Sequence, residues 1–148
     1  MRVKVKVINK AKHSFGLPCY ATKGSSGMDV RASLDSLVMI NPGERALIPT
    51  GIHVGLPEGY EIQIRPRSGL ALKKGISVLN TPSTIDQDYI GEIHVVLINH
   101  SSEVFIVENG DRIAQLVLAE VPVCEWEETD FLSDTERGNG GFGHSGTR

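Results

Sequence analysis

Hydrophobic and polar residues alternate with a period of two along most of this chain. Near its beginning, Val3, Val5 and Val7 are separated by lysines, a pattern that predicts a strand with one buried face. The same pattern predicts nine further short strands, at 37–40, 46–48, 52–56, 60–65, 76–79, 93–99, 104–107, 113–119 and 121–126. Turn-forming runs such as Asn41-Pro42-Gly43 separate these segments, so the strands are expected to follow one another through tight connections.

Short strands at this spacing predict an all-β fold, a sandwich or barrel of antiparallel sheets. The only predicted helix, Ser68–Lys74, has two turns at most. Composition agrees, because 16 of the 148 residues are glycine and an excess of glycine without a period indicates many turns. At this length, with 40% hydrophobic residues, we expect one domain with a buried core.

Charge is unevenly distributed along the chain. The net charge is −3, yet segment 120–136 holds seven acidic residues and no Lys or Arg. The rest has 15 basic against 11 acidic residues, a net charge of +4. A mildly basic body attracts a small anion but lacks the basic footprint of a nucleic-acid-binding protein, so we expect no nucleic-acid partner.

The two cysteines and the apolar segments indicate the environment of the protein. Cys19 and Cys124 lie 105 positions apart with no CxxC pattern, which favours buried, reduced thiols over a disulfide framework or a zinc site. The beginning of the chain does not resemble a signal peptide, and no apolar run approaches the roughly 18 residues that span a bilayer. We therefore expect a cytoplasmic protein, or one from another reducing compartment, without membrane contact.

Two segments carry charged residues that a simple scaffold does not need. In the first, a Gly/Ser-rich loop leads Asp29 into a strand; a carboxylate that caps local backbone amides is an equal alternative. In the second, Pro66 ends a strand and Ser68 and Gly69 begin the short helix, so free amides beside Arg67 form an anion site. A capped surface helix with a solvated arginine is the other interpretation.

Two further segments carry polar groups where a plain scaffold has no need of them. Between Asn80 and Glu92, a bend holds Asp86 and Asp88 close to Tyr89. An aspartate in such a bend can act as general base towards water, although a polar hairpin whose acids face solvent, or a weak metal site, fits the residues too. In the second segment, Gln115 interrupts an apolar strand, which is more often a solvent-facing position.

The last twelve residues, RGNGGFGHSGTR at 137–148, contain five glycines. Ordering such a chain costs much conformational entropy, so the composition predicts a flexible tail. Two interpretations stay open: a disordered terminus, or a lid in which Phe142 stacks on a base while cations and backbone amides contact phosphates.

Taken together, these segments resemble the homotrimeric dUTPase family. The resemblance runs from about Ala21 to Arg148 and rests on five motifs, SSGMDVRA, RPRSGLA, NTPSTIDQDYIGE, GDRIAQL and RGNGGFGHSG. It implies a jelly-roll-like, distorted β-barrel subunit over 1–136 with a C-terminal lid at 137–148. The implied reaction is hydrolysis of dUTP to dUMP and pyrophosphate, which limits uracil in DNA and supplies dUMP for dTMP synthesis.

The resemblance also implies a role for individual residues. Asp86 matches the carboxylate that activates the attacking water, Tyr89 the ring beneath the deoxyribose, and Asp29 a supporting acid. The positions that match the family's substrate contacts are Arg67, Ser68, Gly69, Asn80, Tyr89, Gln115, Arg137, Phe142, Gly143 and Ser145. Phe142 among them matches the ring that stacks on uracil.

The family implies two further components of the active protein. Three subunits share three sites, and the tail of one subunit closes the site of another. The family uses Mg²⁺, and because this ion keeps several waters and takes few protein ligands, we expect the triphosphate to hold it and assign no protein ligand.

Two alternatives on the same fold remain open. A dCTP deaminase would need a catalytic glutamate, for which Glu92 is the nearby acid. A non-catalytic nucleotide-binding module would not need Asp86. The chain departs from the family pattern at Ser83, where glycine is usual, and at Ile90, where a polar residue is common; a positive φ at Ser83 would be strained.

Overall fold

The computed structural model describes residues 2–142, and this part of the chain confirms the all-β class. It forms eleven strands and one short helix: β1 (Lys6–Asn9), β2 (Cys19–Tyr20), β3 (Met28–Arg31), β4 (Val38–Ile40), β5 (Arg45–Gly55), β6 (Tyr60–Arg65), α1 (Ser68–Lys74), β7 (Ile76–Val78), β8 (Ser83–Ile85), β9 (Glu92–Asn99), β10 (Phe105–Val107) and β11 (Arg112–Glu120). The helix coincides with the predicted one. Among residues 2–142, no helix is long and apolar enough to cross a membrane.

The strands form three antiparallel sheets whose order departs from the order along the chain. One sheet has the order β1-β5-β9-β7, the second β2-β3-β11-β6-β8, and a ribbon pairs β10 with β4. In the second sheet, the long strand β11 lies between β3 and β6. Residues from three distant parts of the chain therefore meet side by side on one sheet.

The core is aliphatic and lies on the inner faces of the sheets. Its most deeply buried side chains come from β3, β5, β6, β9 and β11, among them Val30, Ile48, Ile64, Ile93, Val95, Leu97, Ile113 and Leu116. Because side chains alternate between the two faces of a strand, burial of these residues leaves their neighbours on the outer faces, where the polar groups of the motifs lie.

Several predicted strands differ from the observed ones. The segments 46–48 and 52–56 belong to one strand, β5, whose register against β9 shifts between Pro49 and His53. The first strand begins at Lys6 instead of Val3, and its four residues are exposed. The predicted strand at 121–126 is absent, because after Glu120 the chain leaves the sheet and pairs with no other strand of residues 2–142.

The short helix is tied down at both ends. Arg67 precedes it with an extended backbone (φ −90°, ψ 127°), and Gly75 ends it in the left-handed region at φ 65°, where its N–H bonds back to Ala71. A non-glycine residue is disfavoured in that conformation. Leu70 packs against the core, so the first turn of α1 is held at the end of β6.

Candidate active site

Three charged side chains meet where β3, β11 and the end of β6 come together. Oδ1 of Asp29 accepts a hydrogen bond from Nε of Arg67 at 3.0 Å, and Oδ2 accepts one from Nη1 of Arg112 at 3.2 Å. Nη1 of Arg67 also donates to the carbonyl of Arg112 at 3.0 Å. The side chains of Asp29 and Arg67 are only 26% and 25% exposed. We call these three residues the arginine cluster; it closes a cycle and carries two positive charges against one negative charge.

The amide of Gln115 lies beside this cluster. Gln115 pairs with Asp29 on β3 and with Arg65 on β6, and its Nε2 donates to the carbonyl of Pro66 at 2.9 Å. Oε1 of Gln115 lies so close to Gly27 that a Cβ there would come within 2.2 Å of it. The absence of a side chain at Gly27 therefore lets the loop before β3 approach the side-chain amide of Gln115. Gln115 is partly buried, whereas a polar residue that interrupts an apolar strand more often faces solvent.

Ser68 and Gly69 form the first turn of α1, directly after Arg67. No side chain caps this end of the helix. The space around the α-carbon of Gly69 is open, because a Cβ at this position would have no neighbouring atom within 4 Å among the described residues. The phosphate-binding residues predicted from the second and fourth motifs, together with Asp29, are thus brought together at one place.

The segment 80–92, here called the hairpin, carries the predicted catalytic carboxylate. Strand β8 pairs with β6, and Ile85 is buried opposite Ile62. Asp86 follows at once and is exposed, and its carbonyl accepts a hydrogen bond from the N–H of Tyr89 at 3.2 Å. The burial of Ile85 fixes the backbone, so the carboxylate of Asp86 projects from an anchored strand end. Asn80, at the start of the hairpin, is exposed as well.

The ring of Tyr89 is held against the backbone of the hairpin. Its hydroxyl donates to the carbonyl of Glu92 at 2.8 Å, and a Cβ on Gly91 would come within 2.5 Å of that hydroxyl. Glycine at 91 is therefore required for the ring to lie there. Tyr89 remains 42% exposed, so one side of the ring is open to a ligand.

Glu92 closes the base of the hairpin and has a structural role. Its Oε1 accepts hydrogen bonds from the amides of Thr50 at 3.1 Å and Gly51 at 2.8 Å, at the register shift of β5. A carboxylate with two backbone donors is engaged by the fold. These two hydrogen bonds hold the partly buried side chain of Glu92 in place. They disfavour the alternative in which Glu92 is the catalytic glutamate of a deaminase.

Within one chain, Asp86 and the arginine cluster lie apart. Ile85 pairs with Ile62 near the start of β6, whereas Arg67 follows the other end of that strand, five residues farther along. At about 3.3 Å per residue, this separation is roughly 16 Å. The groups around Asp86 are instead Glu58, Tyr60, Glu61 and Val121, and the pKa of Tyr60 is raised by desolvation and by the charge of Glu120.

The described part of the tail is bonded to itself rather than to the arginine cluster or the hairpin. Nε of Arg137 donates to the carbonyl of Gly140 at 2.8 Å, a contact within the tail itself, and the ring of Phe142 is fully exposed. Gly143 and Ser145, the other predicted substrate contacts of the tail, lie outside the described residues.

Two departures from the family pattern are resolved by the structure. Ser83 is a strand residue that pairs with Ile64, and Phe142 is the one non-glycine residue with positive φ between residues 2 and 142, so the strain considered at Ser83 does not arise. Ile90 is 79% exposed, and its carbonyl is 3.2 Å from Nδ1 of His53.

Sequence reasoning did not single out Arg112. The residue stands in the GDRIAQL motif, but its role depends on contacts to Asp29 and Arg67, which are 83 and 45 positions away. The only local sign of the role of Arg112 is its position directly before an apolar run, and basic residues at such positions are common on protein surfaces.

An all-β domain that offers a positively charged cluster beside free helix amides, and an exposed carboxylate on an anchored hairpin, has the features of an enzyme that acts on a phosphorylated ligand. Comparison with known proteins specifies the class. The family model described as dUTPase matches residues 13–146, and the chain belongs to the dUTPase family.

Individual relatives agree with this assignment. A deoxyuridine 5'-triphosphate nucleotidohydrolase of Finegoldia magna is 51% identical over 144 residues, which cover 97% of this chain and 99% of the relative. The dUTPase of Staphylococcus bacteriophage 80alpha, solved with dUPNHPP, is 26% identical with a TM-score of 0.86, over 97% of this chain and 99% of that one. A dUTPase of phage phi11 of S. aureus, with a TM-score of 0.78 at 20% identity over 88% and 99% of the two chains, shows the common fold alone.

Proposed function

We propose that this member of the dUTPase family, a dUTP diphosphatase, hydrolyses its substrate with Asp86 as the residue that orients and deprotonates the attacking water. The water oxygen forms a bond to the α-phosphorus, the bond from that phosphorus to the oxygen that bridges the α- and β-phosphates breaks, so that this oxygen leaves as a terminal oxygen of pyrophosphate, and the water proton passes to the Asp86 carboxylate. The supporting observation is the placement of that exposed carboxylate directly after the buried, paired residue Ile85. Positioning and charge then supply most of the rate.

The other half of the site binds the triphosphate in this proposal. Arg67, Ser68, Gly69 and Gln115 contact phosphate oxygens, and Asp29 supports Arg67 through their 3.0 Å ion pair. Tyr89 lies under the deoxyribose, where its ring leaves no room for a 2′-hydroxyl, and Asn80 lies where the hairpin reads the uracil edge. The tail residues Arg137, Phe142, Gly143 and Ser145 close over the nucleotide.

In this proposal the triphosphate itself holds the magnesium ion, which keeps several waters and takes few protein ligands. No group of three or more His, Cys, Asp or Glu side chains between residues 2 and 142 is arranged to bind a metal, and the carboxylate of Asp29 is already paired with two arginines. A bound Mg²⁺ supplies charge neutralisation on the phosphates. The arginine cluster adds positive charge from the protein side.

A homotrimer with shared sites accounts for the separation of Asp86 from Arg67 within one chain. One chain presents the hairpin and another the arginine cluster, so the two halves meet between subunits. The segment after β11 supports this proposal, because Val123, Trp126, Phe131 and Leu132 are each at least 81% exposed. Four large apolar side chains so exposed in one segment favour contact with another chain.

Product analysis tests the reaction. The purified protein with Mg²⁺ is incubated separately with dUTP, dCTP, dTTP and UTP, and the products are separated. Release of dUMP and pyrophosphate from dUTP alone is expected. Ammonia from dCTP would indicate a deaminase, and four unreacted nucleotides would indicate a binding module.

Removal of residues 137–148 tests the lid. The truncated protein is expected to keep its fold and oligomeric state and to lose most dUTP turnover, because the tail supplies the stacking ring and phosphate contacts. Full turnover in the truncated protein would contradict a role for the tail in closing the site.

A further inference from the structure

We propose that Arg112 is a positioning residue for triphosphate binding, acting through Asp29 and Arg67. It fixes the orientation of the Arg67 guanidinium and leaves the arginine cluster with a net positive charge. The inference rests on the proposed function, because it takes Arg67 as a triphosphate contact. It concerns a residue that the resemblance did not assign to the site.

A β-bulge places Arg112 on the face that carries the site. Ala114 pairs with Val30 and Gln115 with Asp29, but the register shifts between Ala114 and Arg112, which pairs with Arg31. Without the bulge, Arg112 would share the inner face with Ala114, since side chains alternate along a strand. The extra residue turns Arg112 outward, to the side of Asp29 and Gln115. Both Ile113 and Ala114 are buried in consequence.

The backbone before Arg112 is held in place. The N–H of Gly110 donates to the carbonyl of Ala32, and the N–H of Ala32 donates to the carbonyl of Asp111 at 2.9 Å. Nη1 of Arg31 donates to the carbonyl of Gly110 at 2.6 Å. These bonds secure the turn into β11, so the Arg112 carbonyl that receives Arg67 at 3.0 Å is a fixed acceptor.

The contacts orient Arg67 before any ligand binds. Its Nε and Nη1 are engaged by Asp29 and by the Arg112 carbonyl, and a guanidinium has five N–H donors. Among residues 2–142, the N–H groups on Nη2 of Arg67 have no hydrogen-bond acceptor, so they can donate to a ligand. A side chain that is already ordered loses less conformational entropy when it binds.

Charge gives Arg112 a second effect. An isolated Asp29–Arg67 pair has no net charge, and it attracts a polyanion poorly. Arg112, 3.2 Å from the other Asp29 oxygen, restores a net positive charge. Its side chain is 49% exposed, and ion pairs so exposed contribute little to folding stability. Its removal is therefore expected to change ligand affinity more than stability.

Three substitutions separate the two effects. Arg112→Gln removes the charge and the ion pair with Asp29 but keeps the backbone carbonyl that receives Arg67. Arg112→Lys keeps the charge but loses the planar donor geometry. Arg45→Gln is the control, because Arg45 is an exposed arginine on β5, in the other sheet. Calorimetric binding of an α,β-imido analogue of dUTP and of dUMP is measured, with kcat and KM for dUTP.

Arg112→Gln is expected to weaken analogue binding about tenfold or more, the range of a hydrogen bond to a charged group, and to raise KM with a smaller change in kcat. Binding of dUMP changes less, since it lacks the two outer phosphates. Arg112→Lys recovers part of the affinity, and Arg45→Gln binds like the parent protein. Equal losses for the analogue and dUMP, or none for either, would overturn the inference.

A double-mutant cycle tests the path through Arg67. Because Arg112 orients Arg67, its removal matters less once Arg67 is absent, so the variant with Arg67→Gln and Arg112→Gln is expected to lose less analogue affinity than the sum of the two single losses. Additive losses would overturn the inference. Thermal unfolding of each variant verifies that the proteins compared in the cycle are folded. A parent protein that binds the analogue but does not hydrolyse dUTP would contradict the proposed function and leave this comparison intact.

Discussion

Single residues of the site differ in how firmly the fold holds them. The guanidinium of Arg67 has two partners and is largely buried, whereas the carboxylate of Asp86 is exposed at the end of β8. An ordered cation suits binding of a charged ligand. A carboxylate that contacts water freely suits a group that must position a water molecule.

Asp86→Asn is expected to lower kcat for dUTP by about 10² to 10⁴, the contribution of a positioned general base. Asparagine keeps the shape of the side chain, so the affinity for the α,β-imido analogue stays near that of the parent. Steady-state kinetics and calorimetry measure the two quantities. Asp88→Asn, two residues farther along the same exposed hairpin, is the matched control and keeps its turnover. A parallel loss of binding in Asp86→Asn would make Asp86 a structural residue.

His13 makes stability depend on pH. Desolvation, followed by the positive charge of Arg31, lowers the pKa of His13 below its usual 6.5, and its Nδ1 is a buried atom without a hydrogen-bond partner among residues 2–142. The unfolded chain therefore binds a proton at this residue more readily than the folded chain, so its contribution is unfavourable to the folded state at low pH.

The expected result is a loss of unfolding free energy as the pH falls from about 6.5 through the lowered pKa of His13, with no such contribution above that range. Comparing His13→Gln with the parent by urea unfolding at several pH values isolates this residue from the carboxylates that titrate lower. A difference between the two proteins that is constant from pH 8 to pH 5 would contradict the expectation.

Secondary-structure elements at the site are joined by side-chain contacts across the chain. Glu92, at the start of β9, accepts from two amides of β5, and Thr50 of β5 donates in turn to the carbonyl of Ile93 at 2.7 Å. These bonds satisfy backbone groups where the ladder between β5 and β9 is interrupted. The base of the hairpin is thereby fixed to the first sheet.

Glu92→Ala is expected to cost about 1–3 kcal/mol of unfolding free energy, because the amides of Thr50 and Gly51 lose their acceptor. Glu92→Gln keeps an oxygen at that position and is expected to cost less. Urea unfolding measures both. Glu92→Gln should also keep most dUTP turnover; loss of turnover with unchanged stability would instead give Glu92 a catalytic role.

At the scale of the whole molecule, two features favour the proposed homotrimer. Asp86 and Arg67 lie near opposite ends of β6, and the segment after Glu120 leaves the sheets with its apolar side chains exposed. A cyclic assembly satisfies both features, since each subunit gives one half-site and receives another. Light scattering is expected to give three times the 16.1 kDa of one chain.

Mixing two inactive variants tests whether the sites are shared. If Asp86 and Arg67 of one site belong to different subunits, co-refolding Asp86→Asn with Arg67→Gln restores roughly a quarter of the sites under random equimolar assembly. Each variant refolded alone stays inactive and is the control. No recovery in mixed oligomers, verified by differently tagged chains, would place both residues of a site in one subunit.

The sequence by itself determined those features that depend on local patterns. Alternation identified β6 as 60–65 and β9 to within one residue, and Pro66 with Ser68 and Gly69 identified the start of α1. The five motifs, each a short run of residues, identified the family by resemblance, and with it the reaction. Each of these inferences needs only residues that are close along the chain.

Tertiary structure decided what depends on pairing between distant strands. The β-bulge before Ala114 sets the face of the sheet on which Arg112 lies. No local sequence pattern distinguishes this bulged segment from a regularly alternating strand. The segment 121–126 has the alternation of a strand, yet a strand needs a neighbour for its backbone hydrogen bonds, and this chain supplies none among residues 2–142. The separation of Asp86 from Arg67 likewise follows from the register of β6 and β8, which is fixed by core packing across the sheet.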